Sequence, residues 1–133
     1  FFHPIPRLKF GIACKNLLSS SIDSSDGLSS CLHELSTSSK KRFIITKFPV
    51  KDDVRDFVAM NKLDLKDIIL NGGEEFELVC TVPAKNLEKV KRNAKKLKID
   101  LYEIGIVTRG KHVILENETG QSMIIDGGWL HFQ

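Results

Sequence analysis

The stretch SIDSSDGLSS, residues 21–30, decides how the rest of the chain is read. Asp23 and Asp26 stand three residues apart, with serines between them and Gly27 after. Upstream, Ser19 to Ile22 reads as a short strand. Downstream, Leu28, Cys31, Leu32 and Leu35 recur at the i, i+3, i+4, i+7 spacing of an amphipathic helix. The motif is therefore a strand-to-helix junction with both carboxylates at the helix entrance. Two readings of that placement stand open. Ser25 or Asp26 can cap the helix, and an acid there gains about 0.3–1 kcal/mol from the helix dipole. One aspartate is enough for that. Two carboxylates beside Ser25 and a glycine also suit a hard cation such as Mg²⁺, shared with a phosphate, with Gly27 letting the phosphate approach the backbone amides. A calcium loop fails, because the sixth position counted from Asp23 is Leu28 where glycine is required.

Working outward, Pro4 and Pro6 hold the first residues extended, and Leu8 to about Asn16 reads as a short helix. The helix after the motif fades in the serine- and threonine-rich residues 36–39. RFIITKF, residues 42–48, reads as a strand ended by Pro49. Asp52 to Met60 reads as a helix with Val54, Phe57 and Val58 as its apolar stripe, and Leu65 to Leu70 as a second one stopped by Gly72 and Gly73. Phe76 to Val82 alternates, with Phe76, Leu78, Cys80 and Val82 on one face. Ala84 to Lys98 reads as a helix with Leu87, Val90, Ala94 and Leu97 inward. Three strands close the chain: Leu101 to Val107, His112 to Leu115 and Gln121 to Ile125. Helices and strands alternate early and strands meander late. The expectation is an α+β fold, with a mixed sheet and helices mainly on one face.

At 133 residues, 41% hydrophobic and 28% charged, the chain is one domain's worth of ordinary globular protein. A net charge of +3 gives no case for nucleic acid or a membrane surface. No apolar run approaches the roughly 20 residues that a bilayer needs. There is no secretory pattern. Cys14, Cys31 and Cys80 are odd in number and far apart, which argues against a disulfide framework or zinc. Cys31 and Cys80 fall on apolar faces, and they read as reduced core residues of a cytoplasmic protein.

Two more stretches carry polar and aromatic residues in positions suited to a site. NGGEEFEL, residues 71–78, follows a helix with two glycines and then sets Glu74, Glu75 and Phe76 where a strand begins. Its plainest reading is a helix stop and turn; an acid-bearing loop at a sheet end is also a common place for a site. GGWLHFQ, residues 127–133, holds the only tryptophan, Trp129, with Phe132. Its aromatics either plug the core or stack on a flat ligand. The basic residues between Lys85 and Lys98 lie opposite the apolar stripe of their helix and read as a solvated face. No aromatic residue interleaves with them, as single-strand binding would require. His33 reads as exposed on its helix and His112 as a strand residue.

Taken in order, PIPR (residues 4–7), SIDSSDGLSSCL (21–32), NGGEEFELVCTVP (71–83), IGIVT (104–108) and GGWLHF (127–132) resemble the thiamine-monophosphate kinase family. More broadly they resemble the AIR-synthase-like, or PurM-like, superfamily of ATP-using enzymes. The resemblance covers nearly all of residues 1–133, as one domain, but only the C-terminal half of a two-domain enzyme. It implies transfer of the γ-phosphoryl group of ATP to thiamine monophosphate, giving thiamine diphosphate, with Mg²⁺ bridging the polyphosphate. Asp23 and Asp26 resemble the magnesium ligands, with Asp26 central to the chemistry. Ser25 and Gly27 resemble the ATP-phosphate contacts. Glu74, Phe76, Trp129 and Phe132 resemble the thiamine side of the pocket. An N-terminal ATP-binding domain and a homodimer are implied as partners, so this half alone is expected to be inactive. Relatives of the superfamily with other substrates, such as the purine-pathway cyclo-ligase, selenophosphate synthase or the hydrogenase-maturation type, share the D-x-S-D-G pattern. A non-catalytic binding domain is the remaining alternative.

Overall fold

The structure, a computed structural model, describes residues 5–72 and 77–124. Among the described residues, five α-helices and six strands follow in the order α1 (Leu8–Cys14), β1 (Ser20–Asp23), α2 (Leu28–Ser39), β2 (Lys41–Ile45), α3 (Asp52–Met60), α4 (Leu65–Asn71), β3 (Leu78–Thr81), α5 (Leu87–Lys96), β4 (Gly105–Arg109), β5 (Val113–Asn117) and β6 (Gly120–Met123). A single 3₁₀ turn, Ala84–Asn86, leads into α5. The α+β reading holds. The strands, however, divide into two sheets among the described residues. β1 and β3 form an antiparallel ribbon, and the other four run β4-β2-β5-β6. The larger sheet is mixed, since β2 and β5 are parallel and the other neighbours antiparallel.

Strand alternation explains why the ribbon stands where it does. Residues directly opposite in an antiparallel pair share a face. Ile22 opposes Val79, and both pack on a core of Leu28, Leu32 and Leu35 from α2 with Phe43, Ile45, Val113 and Leu115 from the larger sheet. Leu78 and Cys80 point the other way, joining Val82 against a second core of Phe10 and Cys14 from α1 and Val90 and Ala94 from α5. The ribbon is thus a wall shared by two cores. Each fully buried aliphatic side chain in them contributes about 1.5–3 kcal/mol. On the far face of the larger sheet, the register sets Ile106, Ile44, Ile114 and Met123 in one row. Ile106 and Met123, at its two ends, are exposed.

Several local expectations are corrected. α3 forms where its pattern predicts, but only Val58 is buried, while Val54 and Phe57 are exposed. Local acids start this helix: Asp52 and Asp53 occupy its first turn, and Asp53 Oδ1 accepts from the Val54 amide at 3.0 Å. β4 begins at Gly105 rather than Leu101, because its ladder partner β2 ends at Ile45, opposite Gly105. His112 lies in the turn before β5 with φ of 74°. His33 is half-buried, and its Nε2 is shielded with no hydrogen-bond partner among the described residues. The basic face of α5 reads correctly: Lys89, Arg92, Lys95 and Lys96 are exposed, while Lys91 bridges Glu88 and Glu103. No helix among the described residues is long and apolar enough to cross a membrane.

Gly105, in IGIVT, is required by close approach. A Cβ there would stand 2.0 Å from the Ile44 carbonyl oxygen. Gly105→Ala is expected to push β4 off β2 and cost about 3 kcal/mol, the upper range for overpacking, read as a lowered urea midpoint.

Candidate functional site

The antiparallel ribbon has a consequence for the two glycine-bearing motifs. The C-terminal end of β1 lies beside the N-terminal end of β3, with Asp23 opposite Leu78. The residues that leave β1 as DSSDG therefore lie beside Glu77, the residue that leads into β3. The Ser24 amide donates to the Glu77 carbonyl at 2.7 Å, extending the ladder one residue past the strand. Ser24 itself is buried, while Asp23 and Asp26 on either side of it are exposed. Neither carboxylate has a hydrogen bond or ion pair among the described residues.

Gly27 is the N-cap of α2, with φ of 94° and no side-chain cap. Neither Ser25 nor Asp26 caps the helix, contrary to the capping reading. The end of α4 explains why the cap residue is a glycine. A Cβ on Gly27 would stand 2.8 Å from the Gly72 carbonyl oxygen and 3.1 Å from that of Leu70. The start of α2 is pressed against the backbone at the end of α4, and only a residue without a side chain fits. The space that a Cβ would take is filled by α4, so packing alone accounts for this glycine. Asp64 caps α4 from the other end, accepting from the Lys66 amide at 2.9 Å.

Behind the loop stands Cys31, 3% exposed, whose Sγ donates to the Asp23 carbonyl at 3.3 Å. Burial pushes this thiol above its ordinary range; a hydrogen bond with Ser24 pulls it down, and the charges of Asp23, Glu34 and Asp26 push it further up. All three cysteines are free, as expected, with Cys14 buried and Cys80 half-buried.

Two residues that the sequence reading passed over join the site. Arg7, the last residue of PIPR, holds Glu77, the third acid of NGGEEFEL, through both arms of its guanidinium. Nε reaches Oε2 at 2.9 Å and the second nitrogen reaches Oε1 at 2.5 Å. The hydrogen bond to Glu77 raises the already high pKa of Arg7 further. The signal was present as opposite charges in two quoted motifs, but nothing in a separation of 70 residues says that they meet. Glu74, Phe76, Trp129 and Phe132 lie outside the described residues.

As donors, the described residues offer two outward carboxylates and a serine, all oxygen. No cluster of three or more His, Cys, Asp or Glu able to hold a metal exists among the described residues. That set fits a hard cation that takes its remaining ligands from phosphate and water. A concavity of about 480 Å³ lies elsewhere, lined by Lys91, Lys95, Lys98 and Glu103 beside α5.

Residues 7–117 match the family described as AIR synthase related protein, C-terminal domain. Thiamine-monophosphate kinase of Nitrosopumilus maritimus (strain SCM1) is 42% identical over 131 residues, covering 98% of this chain and 41% of that protein. The chain thus spans about two-fifths of the length of the curated relatives that it matches. The crystal structure of thiamine-monophosphate kinase from Stenotrophomonas maltophilia K279a superposes with a TM-score of 0.77 at 25% identity, over 85% of this chain and 36% of that one. AaThiL complexed with AMPPCP and TMP shares the fold, with a TM-score of 0.76 at 24% identity over 97% of this chain and 38% of its own.

Two outcomes follow from this geometry. Gly27→Ala is expected to lose about 2–3 kcal/mol, combining a left-handed backbone with a collision against α4, measured by chemical unfolding. The raised Cys31 thiol means that the folded state holds its proton more tightly than the unfolded chain does. Its contribution is fully present below the unfolded thiol pKa and is lost as pH rises through the folded one. Stability should therefore fall above about pH 8.5, and Cys31→Ala should flatten part of that slope in unfolding titrations from pH 7 to 10.

Proposed function

This chain belongs to the AIR synthase related protein, C-terminal domain, family, and from that membership we propose that it is the C-terminal domain of a thiamine-monophosphate kinase. The observation that carries the reading is the DSSDG turn at the end of the ribbon beside Glu77, with both carboxylates exposed and without a hydrogen bond or ion pair among the described residues. The 42% identity to a named thiamine-monophosphate kinase over 98% of the chain supports the substrate. The solved complex of AaThiL with AMPPCP and TMP, built on the same fold, supports an ATP-like nucleotide and the thiamine phosphate as the bound pair.

In the reaction, a phosphate oxygen of thiamine monophosphate attacks the γ-phosphorus of ATP. The bond from that phosphorus to the β–γ bridging oxygen breaks, and ADP leaves with the electron pair. Such transfers need positioning and charge neutralisation more than covalent help from the protein. Asp23 and Asp26 are the residues that would hold Mg²⁺, which when bound neutralises the polyphosphate and orients it. Ser25 donates its hydroxyl to a phosphate oxygen. Gly27 fixes where α2 starts, and so where Asp26 stands. Glu74, Phe76, Trp129 and Phe132 are assigned by resemblance to the thiamine rings. An N-terminal domain completes the nucleotide site, the intact enzyme is a cytoplasmic homodimer, and residues 1–133 alone are inactive.

The test is ADP release by the full-length protein with Mg-ATP, with and without thiamine monophosphate. Release that depends on thiamine monophosphate, with thiamine diphosphate formed, is the expected result. Asp26→Asn should then reduce turnover by at least about 100-fold, the scale for a lost electrostatic contact to the transition state, with the thermal midpoint unchanged. Near-normal turnover in that variant would refute the assignment.

A further inference from the structure

We infer that the Arg7–Glu77 ion pair is a positioning device for the loop carrying Asp23 and Asp26; the inference rests on the kinase reading above. Glu77 faces two ways. Its side chain takes both arms of Arg7, and its backbone carbonyl takes the Ser24 amide at 2.7 Å, between the two aspartates in sequence. Whatever orients Glu77 therefore orients the peptide joining Asp23 to Ser24. Arg7 is well placed to do so. It is the N-cap residue of α1, and α1 is anchored in the second core by Phe10 and Cys14, at 4% and 0% exposure. The planar two-armed contact fixes the direction of the carboxylate as well as its distance, which a lysine would not.

Exposure separates this role from a purely structural one. The Glu77 side chain is 53% exposed, so the pair adds little to folding stability. Its loss should move the loop more than it unfolds the protein. Groups that orient metal-holding carboxylates act in this way: their removal weakens cation affinity while the fold survives.

The experiment uses the full-length protein and follows ADP release against Mg²⁺ concentration. Glu77→Gln and Arg7→Lys are each expected to raise the Mg²⁺ concentration for half-maximal rate roughly tenfold, with kcat at saturating Mg²⁺ falling much less. Their thermal midpoints should stay within about 3 °C of the parent. The exchanged pair, Arg7→Glu with Glu77→Arg, should bring the Mg²⁺ requirement most of the way back. Lys51→Gln, which removes the exposed pair with Asp100, is the control and should change nothing. An unchanged Mg²⁺ requirement in Glu77→Gln and Arg7→Lys overturns the inference, and so does loss of turnover together with the thermal midpoint, which would make the pair a folding contact. A parent protein without thiamine-monophosphate-dependent release overturns the kinase reading instead. In that case Mn²⁺ binding in the presence of AMPPCP, read from the spin resonance of free Mn²⁺, decides the inference. Weaker binding in Glu77→Gln supports it; equal binding, or none in the parent, overturns it.

Discussion

The two-stranded ribbon of β1 and β3 is the constraint on which the rest depends. A lone pair of strands is marginal in water, and this one is held because both of its faces are covered. Ile22 and Val79 close one core; Leu78 and Cys80 close the other. A slip of one residue would send Leu78 and Cys80 into the core shaped for Val79, and Val79 into theirs, misfitting both, so the register is strongly fixed. With the register fixed, Asp23 must lie opposite Leu78, and the Ser24 amide meets the Glu77 carbonyl just beyond. The candidate site is thus a by-product of how two apolar cores share a wall.

Much of this was legible in the sequence wherever a local rule decides the outcome. The stripe Leu28, Cys31, Leu32, Leu35 gives α2 and its buried side, and all four are buried. Alternation gives the shared face of Leu78 and Cys80 in β3, though not the cover that Val79 finds on the other face, and Val90 with Ala94 gives the inward face of α5. Legibility fails where a distant element decides. The apolar stripe of α3 meets only one buried position, since periodicity states which side is apolar but not whether anything covers it. The capping expectation at Ser25 or Asp26 failed because the helix starts at Gly27, a position where the carbonyls at the end of α4, some 40 residues later, leave no room for a side chain. The division into two sheets is likewise a matter of pairing, on which strand propensity is silent.

The site divides along the same line. The aspartates announce themselves by proximity in sequence. Arg7 and Glu77 do not, since each is an ordinary charged residue until the fold brings them to 2.5 Å. The family match explains why motif order was informative where single motifs were weak. The order of the stretches along the chain is shared with kinases of which this chain spans about two-fifths.

The contact of Gly27 with the end of α4 has an outcome for how such a sequence can vary. The atoms that a side chain at Gly27 would strike are backbone atoms of Leu70, Asn71 and Gly72. No replacement of those residues makes room, because every amino acid carries the same carbonyl. A neighbouring substitution therefore cannot rescue a change at Gly27, as it can where side chains collide; relief comes only from shifting the helix. Drift through paired substitutions is closed at this point. The two stretches are free to change their outward side chains, but the spacing between their backbones is inherited as a unit.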